Sequence, residues 1–224
     1  MNKNQDENLT AIEGLRWLPF VGESYGVSQK KVLLVGESHY YNPDDQNTSF
    51  EHLEFTRWIV DEMGIQNQNY GSPFFSKISQ IFNGVDRTAL WQKTSFYNFI
   101  QRPMDKGGKV IQGVVERPSK EDFLDGWRIF FEVVKNLNPD YCVFFGNTAA
   151  NHFEKACIAS SINYTPVVCQ ESINRSYLKK AEILYENHKT ELIFIKHPSS
   201  YFSTNIWREV LNSKHPDIFK AIQN

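Results

Sequence analysis

The sequence has few cysteines, no surplus of basic residues and no long apolar run. Its three cysteines, Cys142, Cys157 and Cys169, are odd in number and show no CxxC spacing, which argues against a disulfide framework or a cysteine-only metal or cluster site. All three sit within or beside apolar stretches and read as reduced, buried thiols. No run approaches the roughly 18 apolar residues that spanning a bilayer needs, and the opening MNKNQDENLT lacks the apolar segment of a signal peptide. A cytoplasmic protein without membrane contact is expected. Lys and Arg total 24 against 26 Asp and Glu, a formal charge of -2. Such a chain draws no phosphate through its global field, so any nucleic-acid binding must rest on a local basic surface and should be modest in affinity.

What is present suits an ordinary globule. With 224 residues and 41% hydrophobic content, the chain is long enough to bury a sizeable core as one α/β domain over residues 1–224, with an N-terminal arm over about residues 1–30. Aromatic residues make up 14%, including five Trp and seventeen Phe, so flat surfaces for packing or stacking are plentiful.

Five short runs rich in β-branched or aromatic residues read as strands: Val32–Val35, Ser95–Ile100, Tyr141–Phe145, Pro166–Cys169 and Leu192–Lys196. Helix-like stretches lie between them. SFEHLEFTRWIVDEMG carries apolar residues at helical spacing from Phe50 to Met63 and ends on Gly64. SKEDFLDGWRIFFEVVKNLNPD opens with Ser119 as N-cap and acids in its first turn, and stops before Pro139. NTAANHFEKACIAS has Asn147 as its cap, and TNIWREVLNS forms one more helix near the end. The alternation predicts a parallel sheet with helices on both faces. NPDDQNTS and DKGGKVIQGVVERPSK are turn-rich and polar, and belong at the surface.

Function is read from the strand ends, because ligands of open parallel sheets bind beyond the carboxyl ends of the strands. The first strand runs into Gly36-Glu37, the second ends around Asn98 and Gln101-Arg102, the third runs into Gly146-Asn147, and the last into His197-Pro198-Ser199. In a parallel sheet these place a carboxylate, an amide, a backbone turn and an imidazole at one cleft. Singly, each has a plainer reading: a solvated loop acid, a turn residue, a helix cap and a structural histidine. The joint placement is what points to chemistry. Gly22-Glu23-Ser24-Tyr25-Gly26 fits the G-x-S-x-G pattern of a nucleophile elbow, but it lacks a buried strand before it and a helix after it, so a serine hydrolase centred on Ser24 is not expected.

VLLVGES, FYNFIQRP, LNPDYCVFFGNTAANHF and IFIKHPSSYF occur in the order and spacing of the uracil-DNA glycosylase superfamily, which the chain resembles from Val32 to Ser203. It is most similar to the branch with a Gly-Glu-Ala-Pro-Gly first motif and a His-Pro-Ser final loop. The resemblance implies a three-layer αβα sandwich around a mainly four-stranded parallel sheet, acting on a base flipped out of DNA. By position, Glu37 matches the acid that positions or activates the attacking water, and His197 the imidazole over the base O2. Asn98 matches the amide that reads uracil. Gly36 and Ser38 flank the catalytic acid, and Tyr40 falls where some branches block the thymine methyl. Phe50, Phe55, Phe74 and Phe75 are candidates for stacking on the base. Arg102, Gly146, Asn147, Pro198, Ser199, Ser200 and Tyr201 would face DNA, with Tyr201 at the position of a wedge that fills the vacated stack. Lys106, Lys109, Lys196 and Lys179-Lys180 are candidates for a phosphate track, against the commoner role of solvated surface.

The match has departures. Ser38-His39 follows Glu37 where relatives have Ala-Pro or Asp-Pro, and in the Gln-Asp-Pro-Tyr branch the catalytic aspartate falls on Ser38. The closest branch holds an iron–sulfur cluster through four cysteines, which three scattered ones cannot reproduce, so no cofactor is expected. The expected function is a monofunctional glycosylase acting on uracil or a related damaged base in DNA. Two alternatives stand beside it: a catalytically weak or inactive protein on the same fold that binds nucleic acid, a nucleotide or a protein, and a hydrolase using Ser38 and His197 as nucleophile and base.

Overall fold

A computed structural model describes residues 1–27, 30–41, 49–66, 73–82, 86–105, 116–185, 187–199 and 201–223. Most of the two surface loops expected from the sequence, together with Lys106, Lys109 and Ser200, lies outside these residues.

The main sheet contains β1 (Phe20–Val21), β2 (Val32–Gly36), β4 (Thr94–Asn98), β6 (Tyr141–Phe145), β7 (Asn163–Ile173), β8 (Ser176–Tyr185) and β9 (His188–Ile195), in the order β1-β4-β2-β6-β9-β8-β7. Neighbours among β4, β2, β6 and β9 run parallel, whereas β1 and the β7–β8 hairpin are antiparallel additions at the two edges. Two short strands, β3 (Tyr40–Tyr41) and β5 (Met104–Asp105), pair in parallel as a separate ribbon. The sheet is thus wider than the expected four strands. Residues 166–169, expected as an independent parallel strand, are the middle of antiparallel β7. Pro166 is tolerated there because β7 is the outermost strand and its register breaks between Thr165 and Val168. Cys169, on that edge, is exposed, unlike buried Cys142 and Cys157.

Side chains alternate across a strand, and in the central strands the two sets feed separate cores. Leu33, Val35, Tyr97, Phe99, Cys142, Phe144, Leu192 and Phe194 pack with α5 (Lys120–Leu137) and α6 (Phe153–Ala159) on one face. Leu34, Phe96, Val143, Phe145, Ile193 and Ile195 pack on the other face with α3 (Pro73–Ile81), α4 (Arg87–Lys93), α7 (Thr204–Lys214) and α8 (Pro216–Gln223). Helices on both faces are therefore observed. None of the described helices is long and apolar enough to cross a membrane.

Local signals account for the best-defined helix. Ser119 Oγ accepts from Asp122 N at 3.1 Å while the Asp122 carboxylate accepts from Ser119 N at 2.8 Å, a reciprocal cap on α5 of about 1 kcal/mol. The helix closes on Asn138 in the left-handed region (φ 48°), just before Pro139. The helix expected over residues 50–63 is shorter. Phe50 lies in a 3-10 turn, Ser49–Glu51; α2 covers Phe55–Ile59 and widens into a π-helical turn, Val60–Ile65, that runs through Gly64. A side chain at Gly64 would press on the indole of Trp91, so glycine is kept there for close packing rather than as a stop.

The N-terminal segment is no arm. Leu9, Leu15, Trp17 and Leu18 are buried, and α1 (Asp6–Thr10) is anchored through Arg57, which is 2% exposed. Its guanidinium donates to Pro19 O at 3.0 Å and to both Asp6 carboxylate oxygens. Glu54 also pairs with the guanidinium at 3.1 Å, and with these contacts and the buried apolar residues, residues 1–21 belong to the folded domain.

Candidate functional site

Strand register brings the distant motifs to one rim. Gly36 pairs with Asn98, Val35 with Phe144, and Phe145 with Ile195. The residues that follow these strands therefore leave the sheet at one level. The chain beyond β2 is pinned as well: Gly36 O accepts from Phe99 N at 3.0 Å, Glu37 O from Ile100 N at 2.8 Å, and His39 O from Met104 N at 2.9 Å. The loop carrying Glu37 is consequently a continuation of the ladder rather than a free excursion.

A cleft of about 630 Å³ opens at this rim, lined by Glu37, Ser38, His39, Tyr40, Asn98, Gly146, Asn147, His197 and Ser199 among its polar wall. Ile59, Met63, Phe74, Phe75 and Phe96 form the apolar side. Asn98 is 5% exposed, and its side-chain amide bonds to no other described residue. The same holds for the Glu37 carboxylate and for both ring nitrogens of His197. A buried polar group normally has a partner. One buried group and two half-buried ones that lack a partner while sharing a hollow point to a ligand.

Packing sets the geometry around each group. A Cβ at Gly36 would collide with Asn98 Oδ1, so the bare Cα of Gly36 is what makes room for the amide. Glu37 reaches across to the end of β6, where a Cβ placed on Gly146 would lie 3.6 Å from Oε2. The His197 ring lies on Phe74, with centroids 5.4 Å apart and planes tilted by 32°. Lys77 Nζ donates to Ser199 O at 2.6 Å and Lys196 Nζ to Tyr201 O at 3.0 Å, so both lysines brace the loop after β9. At its tip Tyr201 adopts φ 59° and is 97% exposed. Pro198, in the same loop, is buried.

Burial raises the Glu37 carboxyl above its usual range, and the neighbouring Arg117 charge partly opposes that rise. Burial lowers His197, reinforced by Arg117 and Lys77. Arg117 lines the cleft, is exposed and has no ion pair among the described residues. Behind Glu37, a second hollow of about 10 Å³ is lined by Gly36, Glu37, Gly146 and the rings of Phe99, Phe123, Phe144 and Phe145. That is near the lower limit for one water molecule.

Of the four candidate stacking rings, Phe74 and Phe75 line the cleft. Phe50 instead packs on Tyr41, and Phe55 lies behind the cleft against His39 and Trp17. Arg102 is also elsewhere: its guanidinium forms a two-pronged pair with Asp122 at 2.6 and 2.7 Å and a further pair with Glu116. Asn147 does not cap a helix, since its amide donates to Tyr177 O at 3.0 Å, on the hairpin, and its Oδ1 is buried without a partner. Ser38 Oγ is likewise buried and unpartnered, so no Ser38–His197 nucleophile–base hydrogen bond exists. Lys179 donates to Asn151, and Lys180 is paired with Glu182 and Glu191.

Sequence reasoning missed Arg117 and His39. Arg117 lies in a turn-rich stretch whose pattern marks no element. His39 was visible only as a departure from the motif that the sequence resembles. No family model matches the chain, and no curated protein matches it.

Proposed function

We propose that the protein is a monofunctional DNA glycosylase that hydrolyses the N-glycosidic bond of uracil, or of a related damaged base, after the nucleotide has been flipped out of DNA. One observation carries the reading: an unpaired carboxylate, an unpaired amide and an unpaired imidazole, distant in sequence, share one aromatic-walled cleft. The uracil-DNA glycosylase resemblance assigns the same three residues, and the two central cores with helices on either side suit its αβα sandwich. Cytoplasmic action on DNA belongs to the same proposal.

The chemistry follows from charge. As the bond between sugar C1′ and the base nitrogen breaks, positive charge grows on the sugar and negative charge on the departing base. Glu37 as the carboxylate stabilises the sugar and takes the proton of the water that attacks C1′. A neutral His197 N–H donates to the base oxygen that gathers the negative charge. The Asn98 amide accepts from uracil N3–H and donates to O4, an arrangement that cytosine would leave mismatched in a buried site. Phe74, already against His197, offers a face for the base.

The test is incubation with a uracil-containing single-stranded oligonucleotide, followed by alkali to cleave abasic sites. Product should form with wild type and be lost in Glu37→Gln and His197→Ala without a drop in melting temperature. The second reading, a base-binding protein without catalysis, is favoured by the commitment of Arg102 to Asp122 and Glu116, which removes one expected phosphate contact. DNA binding at low salt without product from uracil, hypoxanthine or xanthine substrates would replace the first reading with the second.

A further inference from the structure

His39 stands where the family motif has proline, and it takes no part in the chemistry above. Its ring is 7% exposed, edge-on to Trp17 (centroids 4.9 Å apart, 86°) and tilted against Phe55 (4.7 Å, 58°). It lines the cleft between Ser38 and Tyr40. Nε2 lies 2.8 Å from Thr56 Oγ1, and Nδ1 has no partner among the described residues. Burial among these apolar rings lowers its pKa to about 3, so the ring is neutral and carries a single N–H.

The position of that proton can be deduced. Thr56 is 1% exposed, and Nε2 of His39 is the only acceptor its hydroxyl reaches among the described residues. If Nε2 carried the proton, two donors would face one another, or the Thr56 O–H would point away unpaired in a dry site. In the other form the unpartnered donor is Nδ1–H, which is not among the fully enclosed unpartnered atoms and so keeps some access to solvent, whereas the Thr56 hydroxyl has none; the unmade bond at Thr56 is the costlier outcome. Thr56 O–H therefore donates to Nε2, and the ring proton sits on Nδ1.

We propose that His39 is a second base-reading residue, held by Thr56 in the Nδ1–H form so that it offers a fixed, uncharged donor to an acceptor atom, a carbonyl oxygen or bare ring nitrogen, of a nucleobase in the cleft. The inference rests on the base-binding part of the glycosylase reading but not on catalysis. The aromatic cage keeps the ring from turning, so the donor direction is preset. Thr56 acts as a positioning residue.

The experiment uses long-range proton–nitrogen NMR of the 15N-labelled protein, alone and titrated with free uracil and free hypoxanthine. His39 should show a protonated Nδ1 and a bare Nε2 across neutral pH, and its Nδ1 signals should move as base is added. Thr56→Val removes the hydroxyl, so the tautomer should shift toward Nε2–H and base affinity fall about fivefold, the worth of one neutral hydrogen bond. Thr56→Ser keeps the hydroxyl and should restore both readouts. A protonated Nε2 in the wild type overturns the proposal, as does saturation by either base without movement of His39. Failure of both bases to bind overturns it too. If Thr56→Val does not fold, the wild-type tautomer and the serine variant still decide. Base binding with the expected tautomer but without oligonucleotide cleavage would sink the glycosylase reading and leave this one standing.

Discussion

Asn98 occupies the space that a side chain on Gly36 would need: a Cβ on Gly36 would run into Asn98 Oδ1 and come within 2.9 Å of the Phe96 ring. The two residues are paired in register across β2 and β4, so neither can move without disturbing the ladder. Gly36→Ala should therefore turn the amide out of the position in which it is proposed to read the base. The expected loss is about 1–3 kcal/mol of stability from overpacking, with a larger proportional loss in kcat/KM for uracil. Thermal melts and single-turnover kinetics on one preparation separate the two. Equal effects on both would mean that the glycine serves packing alone.

Glu37→Gln keeps the shape of the side chain and removes its charge. If Glu37 is the proposed general base, its loss costs about 10²- to 10⁴-fold in rate, and kcat should fall by that order. Stability should move the other way. Because burial raises the Glu37 pKa, the ionised form is disfavoured in the fold, and holding it at neutral pH works against folding. The variant should melt at or above the wild-type temperature. A clear drop in melting temperature would assign Glu37 a structural role.

The pH profile follows from the same shifts. The proposed chemistry needs Glu37 ionised and His197 neutral, a combination present only above both pKa values. With Glu37 raised and His197 lowered, activity should decline on the acid side at a pH above that of an ordinary carboxylate. Arg117 lowers both groups, so Arg117→Gln lets both rise, and the acid limb should move to higher pH. A limb that stays put or moves lower in a kcat/KM profile would separate Arg117 from the site.

The site was legible where the fold obeys a simple rule, and illegible where it depends on packing. Parallel strands ending in Gly36-Glu37, Asn98 and His197 imply one rim from direction and register alone. The choice of Phe74 over Phe50 and Phe55 does not follow from spacing, because it depends on α3 lying across the strand ends while the 3-10 turn and α2 turn their rings toward Tyr41 and His39. The β7–β8 hairpin escaped for another reason. Neither NYTPVVCQESI, broken by Pro166, nor SYLKKAEILY keeps a clean period of two, and the two-residue turn joining them rests on Asn174 at φ 54°, a weaker signal than Asn-Gly. Asn147 shows the limit of local rules, since its sequence suits a cap but a partner 30 residues away takes its amide.

Stability should depend on pH at the opposite end of the central sheet. His215 Nδ1 lies 2.7 Å from Glu191 Oε1, and Lys180 Nζ lies 2.7 Å from Oε2. Burial opposes ionisation of Glu191, but hydrogen bonds from His215 and Lys180, together with their charges, outweigh it and pull the carboxyl down to about 2. A lowered folded pKa gives stability that is complete above the unfolded carboxylate range and is lost as pH falls toward 2. Denaturant melts between pH 6 and pH 2 should show this loss, and His215→Ala, which also strands Gln170, should flatten it and cost about 2–3 kcal/mol near neutrality. An unchanged acid slope in the variant would place the effect elsewhere.

Tyr201 offers the sharpest separation of binding from flipping. It is a bulky residue held in the left-handed region, where such a side chain is disfavoured by about 1 kcal/mol or more, and its ring is almost wholly in solvent beside the cleft. Lys196 Nζ holds the Tyr201 carbonyl at 3.0 Å, but the ring packs on no other ring among the described residues; a wedge entering a base stack would use it. Extracting a base from a duplex costs a few kcal/mol, whereas a single strand is already largely unstacked. Tyr201→Ala should therefore lower kcat/KM on double-stranded uracil substrates by about 10- to 100-fold while changing single-strand turnover by less than about twofold, and because alanine keeps the Cβ that strains the left-handed backbone, the melting temperature should stay level. Tyr201→Leu, which keeps an apolar wedge, should recover most of the duplex activity. Equal losses on single and double strands would instead make Tyr201 an ordinary contact to the nucleic acid.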